Sequence, residues 1–205
     1  MIQEETILIL DFGGQYTQLI ARRIRECGVY SEIVPYHIFP NKINTDKVRG
    51  IILAGGPDSV QAQQAKRCDP AILKLGLPIL GICYGMQLMT LLLGGQVGPA
   101  EQSEFGRTSM KVLPHPLFDG LDADQEVWMS HHDRVLSTPD GFEVIASTDA
   151  CPIAAFADDK RRLYGIQFHP EVKHTPCGPA LLEHFVKGIC GCKGLWRMDR
   201  LSEQL

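Results

Sequence analysis

Residues 77–95, LPILGICYGMQLMTLLLGG, join two hydrophobic patterns at a single cysteine. Ahead of Cys83 lies a short apolar run opened by Pro78, which reads as a strand. Behind it a run of Met, Leu and Gln closes on Gly94 and Gly95 and is long enough to read as a helix. With Gly81 and Gly85 two positions to either side, the junction has the form of the nucleophile elbow G-x-S-x-G, a thiol replacing the hydroxyl. Glycine on both flanks relieves the crowding that an abrupt strand-to-helix turn creates. The turn presents the thiol at the carboxyl end of a strand, where open α/β sheets place ligands. It also puts the thiol at a helix amino terminus, whose partial positive charge favours thiolate. Taken alone, the same five residues also fit a buried structural cysteine.

Outward from the elbow the same order recurs. Residues 7–11 are apolar and end in Gly13 and Gly14. Residues 15–26 then show helical spacing through Leu19, Ile20 and Ile24, stopped by Gly28. Further apolar runs fall around Ile33 and at 50–56. Strands apolar on both faces and separated by helices predict an α/β fold with a mostly parallel central sheet flanked by helices. From about Arg107 the segments TSMKVL, EVWMS, FEVIAS, PIAAFA and RLYGIQF read as a smaller antiparallel addition. Leu181, Leu182, Phe185, Val186 and Ile189 share one helical stripe that closes the domain. One domain is expected over 1–193, with 194–205 as the start of a connecting segment.

Composition narrows the function classes. A chain of 205 residues, 44% hydrophobic, can bury one good core. With 20 Lys and Arg against 24 Asp and Glu it offers no diffuse basic field for nucleic acid. No apolar run is long enough to span a bilayer and the amino terminus lacks a signal-peptide pattern, so no membrane association and a cytoplasmic location are expected. Seven cysteines, with Cys190 and Cys192 as C-x-C, suggest reduced thiols. The histidines, His131 and His132 included, show no metal-ligand spacing with nearby thiols, so no metal is expected.

A second segment carries chemistry. In YGIQFHPEV, 164–172, Pro170 biases His169 toward extended geometry, which sets His169 and Glu171 on one face. Glu171 can then fix the imidazole tautomer and stabilise the imidazolium while the other ring nitrogen faces a nucleophile. Combined with Cys83 this makes a Cys-His-Glu catalytic set. A third segment, LAGGPDSV at 53–60, ends a strand in Gly55, Gly56 and Pro57. Its unshielded backbone N–H groups suit an oxyanion hole, with the N–H of Tyr84 as the second donor. DFG at 11–13 lacks the other kinase elements, and DFGGQ matches neither phosphate-loop pattern. That stretch reads as a tight turn lining the cleft.

The elbow GICYGMQ, the loop AGGP and the tail GIQFHPEV together resemble the class I, or triad, glutamine amidotransferase family. The stretches ILDFGGQYTQLIARRIRE, VWMSHHDRV, GIQFHPEVKHT and FVKGICGC extend the likeness along nearly the whole chain, to the branch whose members serve GMP synthesis. The resemblance implies ammonia release from glutamine through a cysteine thioester. It implies oxyanion binding at Gly56 and Tyr84, and substrate contacts from Gln87, Gly55, Ser130 and Asp133. The family usually shows S-H-G-D where this chain has Ser130, His131, His132 and Asp133; a histidine in place of the glycine would narrow the pocket, alter the loop or change docking to a partner.

The resemblance also implies no cofactor in this domain. ATP and Mg would belong to an ATP-pyrophosphatase (synthetase) domain marked by S-G-G-V-D-S, a motif this sequence lacks. The implied partners are glutamine and that domain, which would also carry oligomerisation, and GLWRMDRLSEQL resembles the start of a helix leading to it. An excised domain and a naturally separate chain both fit. The triad equally fits glutaminases serving anthranilate, aminodeoxychorismate, carbamoyl phosphate or CTP synthesis. A non-catalytic sensor that oxidises Cys83 fits the elbow alone.

Overall fold

Alternation along the first strand decides which helices cover which face. In β1 (Thr6–Asp11), Ile7 and Ile9 point into one apolar layer with Ile20, Ala21 and Ile24 of α1 (Thr17–Glu26). Leu8 and Leu10 point into the opposite layer with Met86, Leu88 and Met89 of α2 (Tyr84–Leu92). All four of these strand residues are buried, each worth roughly 1.5–3 kcal/mol of transfer free energy. The computed structural model that shows this describes residues 5–197.

The remaining strands are β2 (Tyr30–Pro35), β3 (Val48–Leu53), β4 (Ile79–Ile82), β5 (Gln96–Val112), β6 (Asp124–Ser137), β7 (Glu143–Ser147), β8 (Ala155–Asp158) and β9 (Leu163–Ile166). Among the described residues all nine join one sheet in the order β2-β1-β3-β4-β9-β8-β7-β5-β6. The α/β class expected from the sequence holds, but the sheet is mixed rather than mostly parallel. Four strand pairings are parallel and four antiparallel. The antiparallel part grew because β5 and β6 are much longer than the runs TSMKVL and EVWMS. They form a two-stranded ribbon at the sheet edge whose exposed positions are mostly polar, Phe105 and Leu136 excepted.

The segment RLYGIQF, expected among the antiparallel additions, does pair antiparallel with β8 but belongs to the centre of the sheet. It forms β9, which lies parallel to β4 in the middle of the sheet with all four residues buried. Central position on two buried faces explains its unbroken apolar character. The predicted helix at 15–26 begins at Thr17 and is terminated by Gly28, whose φ of +77° suits glycine at a helix end. The closing stripe is α3 (Gly178–Glu183) continued by π-helical turns over His184–Ile189; Leu181, Leu182, Phe185 and Val186 are fully buried. Beyond it, Trp196 donates its N–H to Gly28 O at 2.8 Å and its ring lies 6.0 Å from that of Tyr30. Most of the connecting segment expected at 194–205 lies outside the described residues. No helix of the described residues is long and apolar enough to cross a membrane.

Candidate active site

The two central parallel strands, β4 and β9, deliver their carboxyl ends to one cleft of about 480 Å³. Cys83 follows β4 directly and caps α2 with φ 52° and ψ −106°, a strained conformation for a residue with a side chain. Its N–H is anchored on Ile166 O of β9 at 2.8 Å, and its carbonyl accepts from Gln87 N at 3.1 Å. Both flanking glycines are demanded by space. A Cβ on Gly81 would lie 2.6 Å from Met86 N, and one on Gly85 would lie 2.1 Å from Leu53 O. The turn closes only if α2 rides directly on the ends of β3 and β4.

The thiol is nearly enclosed, Cys83 being 8% exposed. Gln167 Nε2 donates to Sγ at 3.5 Å, and Ser130 O lies 3.8 Å from it. His169 is held by Glu171, its Nδ1 2.8 Å from Oε1, with both side chains buried. Burial works against the imidazolium, but hydrogen bonds and charge from Cys83 and Glu171 outweigh it and raise the His169 pKa to about 10. The segment is pinned on every side. His169 N donates to Trp128 O at 3.0 Å, Thr175 Oγ1 donates to His169 O at 2.7 Å, and Arg23 Nε of α1 donates to Glu171 O at 3.0 Å. The Tyr16 ring meets His169 edge to face at 5.4 Å.

Every residue singled out from the sequence lines this cleft: Cys83, His169, Glu171, Gly55, Gly56, Tyr84, Gln87, Ser130 and Asp133. The turn after β1 lines it too, through Gly14, Gln15, Tyr16 and Thr17. Asp11 Oδ1 shapes that turn by accepting from Gly13 N at 2.8 Å and Thr17 Oγ1 at 2.9 Å. Tyr84 is the first residue of α2, so its N–H has no intrahelical acceptor. Gly56 lies against the Tyr84 ring so closely that a Cβ would come within 3.0 Å of it. Gln87 Nε2 donates to Asp133 O at 2.8 Å and to Gln167 Oε1 at 3.1 Å. Ser59 Oγ donates to Asp133 Oδ2, tying the glycine loop to the opposite wall.

His132 takes its place without strain, since among the described residues only Cys83 and Arg162 are non-glycine residues at positive φ. It is exposed at the mouth of the cleft. Its ring meets Phe105 at 4.8 Å, and Nδ1 lies 3.3 Å from Ser103 Oγ. Two features escaped the sequence reading. Gln167, two residues before the predicted base, contacts the sulfur. Glu104, His131 and Cys151 bring a carboxylate oxygen, an imidazole nitrogen and a sulfur within 4.8 Å of one another in the buried wall behind Asp133. Local spacing hides such a cluster because its members come from β5, β6 and the turn after β7.

Comparison with known proteins agrees with this geometry. Residues 8–189 match the family described as glutamine amidotransferase class-I. A GMP synthase [glutamine-hydrolyzing] of Caldanaerobacter subterraneus subsp. tengcongensis is 55% identical over 99% of this chain and 40% of its own length. One from Staphylococcus aureus strain JH9 is 52% identical over 98% of this chain and 39% of its own. The chain thus spans about two-fifths of the length of these curated relatives. A crystal structure from Thermoplasma acidophilum, described as a GMP synthase subunit, is 32% identical with a TM-score of 0.84 and covers 100% of both chains. A Thermotoga maritima glutamine amidotransferase, 16% identical, has a TM-score of 0.75 over 92% of this chain and 99% of its own, a likeness of fold alone.

Proposed function

This chain belongs to the class-I glutamine amidotransferase family, and on that premise we propose that it hydrolyses glutamine at Cys83 and supplies the ammonia to a separate amination site. The observation that carries the reading is the strained thiol of Cys83 sharing one cleft with the buried His169–Glu171 pair.

The steps follow from the groups present. Cys83 Sγ, as thiolate, attacks the side-chain amide carbon of glutamine, and the developing oxyanion is met by the backbone N–H groups of Tyr84 and Gly56. Each such donor contributes on the order of 3 kcal/mol of transition-state stabilisation. The C–N bond breaks as His169, held as imidazolium by Glu171, gives its proton to the leaving nitrogen. Ammonia departs and a glutamyl thioester remains. The now neutral His169 takes a proton from water, the hydroxide adds to the thioester carbon, and the thiolate leaves to release glutamate. Gln167, donating to Sγ, steadies the sulfur through both steps. Gln87, its amide N–H groups taken up by Asp133 and Gln167, offers its carbonyl oxygen to the substrate. Gly55, Ser130 and Asp133 face the amino-acid end.

A glutamine-like diazoketone tests this directly. It should label Cys83 stoichiometrically, glutamine should protect, and the Cys83→Ala chain should not react. Labelling elsewhere, or peroxide modifying Cys83 with no protection by glutamine, overturns the reading.

The relatives' names, GMP synthase [glutamine-hydrolyzing], favour GMP synthesis as the use of the ammonia; we infer that it aminates XMP, with ATP and Mg handled by an ATP-pyrophosphatase domain outside this chain and the segment from Gly194 leading toward it. Oligomerisation would reside in that domain, and the site would lie in the cytoplasm. Mixing the chain with such a domain, XMP, ATP, Mg and glutamine should yield GMP. Failure alongside complementation of another class-I acceptor domain would reassign the partner.

A further inference from the structure

The buried wall behind the substrate segment contains a hydrogen-bond chain whose proton count is constrained. The carbonyl of Asp133 can only accept, and it lies 3.0 Å from His131 Nδ1 and 2.8 Å from Gln87 Nε2. His131 Nδ1 therefore carries a proton. The other ring nitrogen, Nε2, lies 3.0 Å from Glu104 Oε2, and a hydrogen bond there needs a second proton between them. Glu104 Oε1 accepts from Thr148 Oγ1 at 2.7 Å, and that hydroxyl accepts in turn from Cys151 N at 2.9 Å. Glu104 and His131 are 7% and 5% exposed, so water does not substitute for any of these contacts.

We propose that Glu104 and His131 share one buried proton and act as a positioning pair, holding the Asp133 carbonyl where it fixes Gln87 and the cleft wall for glutamine. The proposal rests on the glutaminase reading above. Its geometric basis is the continuous path Thr148, Glu104, His131, Asp133 O, Gln87, Gln167, Cys83, every link of which is a hydrogen bond.

Burial pushes the His131 imidazole below its usual range, opposed by the hydrogen bond and charge of Glu104 and by the Asp133 carbonyl. The second proton is assigned from the hydrogen-bond geometry, in which Nδ1 and Nε2 both face oxygen acceptors. The same atoms have ligand-like proximity to Cys151, yet its Sγ is directed to Ile153 O at 3.4 Å and burial pushes the thiol up to about 12. The geometry is that of a satisfied hydrogen-bond network.

The proton count makes an unusual demand on substitution. In Glu104→Gln the amide N–H₂ can donate to a neutral His131 Nε2 while the amide oxygen keeps Thr148, so the network survives without the shared proton. In Glu104→Ala it does not. In the full chain, Glu104→Ala should raise the KM for glutamine by about 10-fold or more, the scale of a lost buried hydrogen bond, with a smaller change in kcat. Glu104→Gln should stay within about 3-fold of wild type on the same scale.

Alkylation of Cys83 by iodoacetamide should change far less than KM in both variants, because the pair reaches the sulfur only through Gln87 and Gln167. If Glu104→Ala does not fold, Thr148→Val should raise KM and Thr148→Ser should restore it. Long-range ¹H–¹⁵N spectra of the histidine-labelled chain should show His131 protonated at Nδ1, a readout that stands whether or not glutamine is hydrolysed. A wild-type chain inert toward glutamine would instead count against the glutaminase reading. The proposal is overturned by a bare Nδ1, by Glu104→Gln failing as Glu104→Ala does, by a wild-type KM in Glu104→Ala, or by stoichiometric zinc that Glu104→Ala abolishes.

Discussion

Replacing Gly85 by alanine tests whether the elbow is set by backbone contact. The added methyl would sit 2.1 Å from Leu53 O and 2.7 Å from Leu53 C and Cβ. A comfortable C···O approach is about 3.3 Å, so α2 must lift from the end of β3 by roughly 1.2 Å. Overpacking costs about 1–3 kcal/mol where side chains can yield, and here the nearest obstacle is main chain, so the top of that range applies. Alanine recovers about 1 kcal/mol of helix propensity. The net loss is about 2 kcal/mol or more, equivalent to a fall in Tm of roughly 4–8 °C for a chain of this size.

Gly188 supplies the control: it lies in the π-helical turns at ordinary φ, with nothing within 4 Å of a built Cβ. Gly188→Ala should stabilise by up to about 1 kcal/mol. Calorimetry of the two variants reads the signs, and diazoketone labelling reads the site. A shift of about 1 Å in the nucleophile costs on the order of 100-fold in rate, so Gly85→Ala should label correspondingly slowly. Stabilisation of the same sign in both variants, or wild-type labelling of Gly85→Ala, refutes the steric account of the elbow.

Other outcomes follow from the same contacts. Because the His169 pKa is raised from 6.5 to about 10 in the folded state, its contribution to stability is full below about pH 6.5, declines as pH rises, and is gone above about 10. Urea titrations across that range should show this slope in wild type and a weaker one in Glu171→Gln. That variant should also lose about 10²–10⁴-fold in glutaminase rate, and its alkaline limb should move to lower pH. Arg23→Ala removes a donor that reaches Glu171 O from α1 and should cost about 1–3 kcal/mol in stability or an equivalent drop in kcat, read by denaturation and steady-state kinetics. His132→Gly deletes an exposed ring that packs on Phe105 and should cost about 0.5–1 kcal/mol; a KM change beyond about 3-fold would make His132 a substrate contact.

Each half of the Cys83, His169 and Glu171 grouping was legible because its own geometry is local. Gly81-x-Cys83-x-Gly85 encodes a turn that admits no other flanking residues, and His169-Pro170-Glu171 places two groups on one face by backbone preference alone. The adjacency of β4 and β9 was not legible. It depends on which strand fills the centre of the sheet, and four intervening strands follow β4 before the chain returns there. The length of β5 was hidden for a different reason. Its stretch 99–107, PAEQSEFGR, looks like a loop because an edge ribbon needs few apolar residues. That same camouflage concealed Glu104, a carboxylate in polar sequence that turns inward to meet His131. Gln167 was equally disguised, as an ordinary polar residue closing an apolar strand, until its amide was seen to reach the sulfur.

The return of β9 to the centre also sets an order of events at the ribosome. A nascent chain that has emerged through α2 already carries its sulfur, yet the imidazole and carboxylate that share its cleft are translated only after the entire ribbon has been made. The sulfur therefore meets its imidazole only when the last strand slots in beside β4.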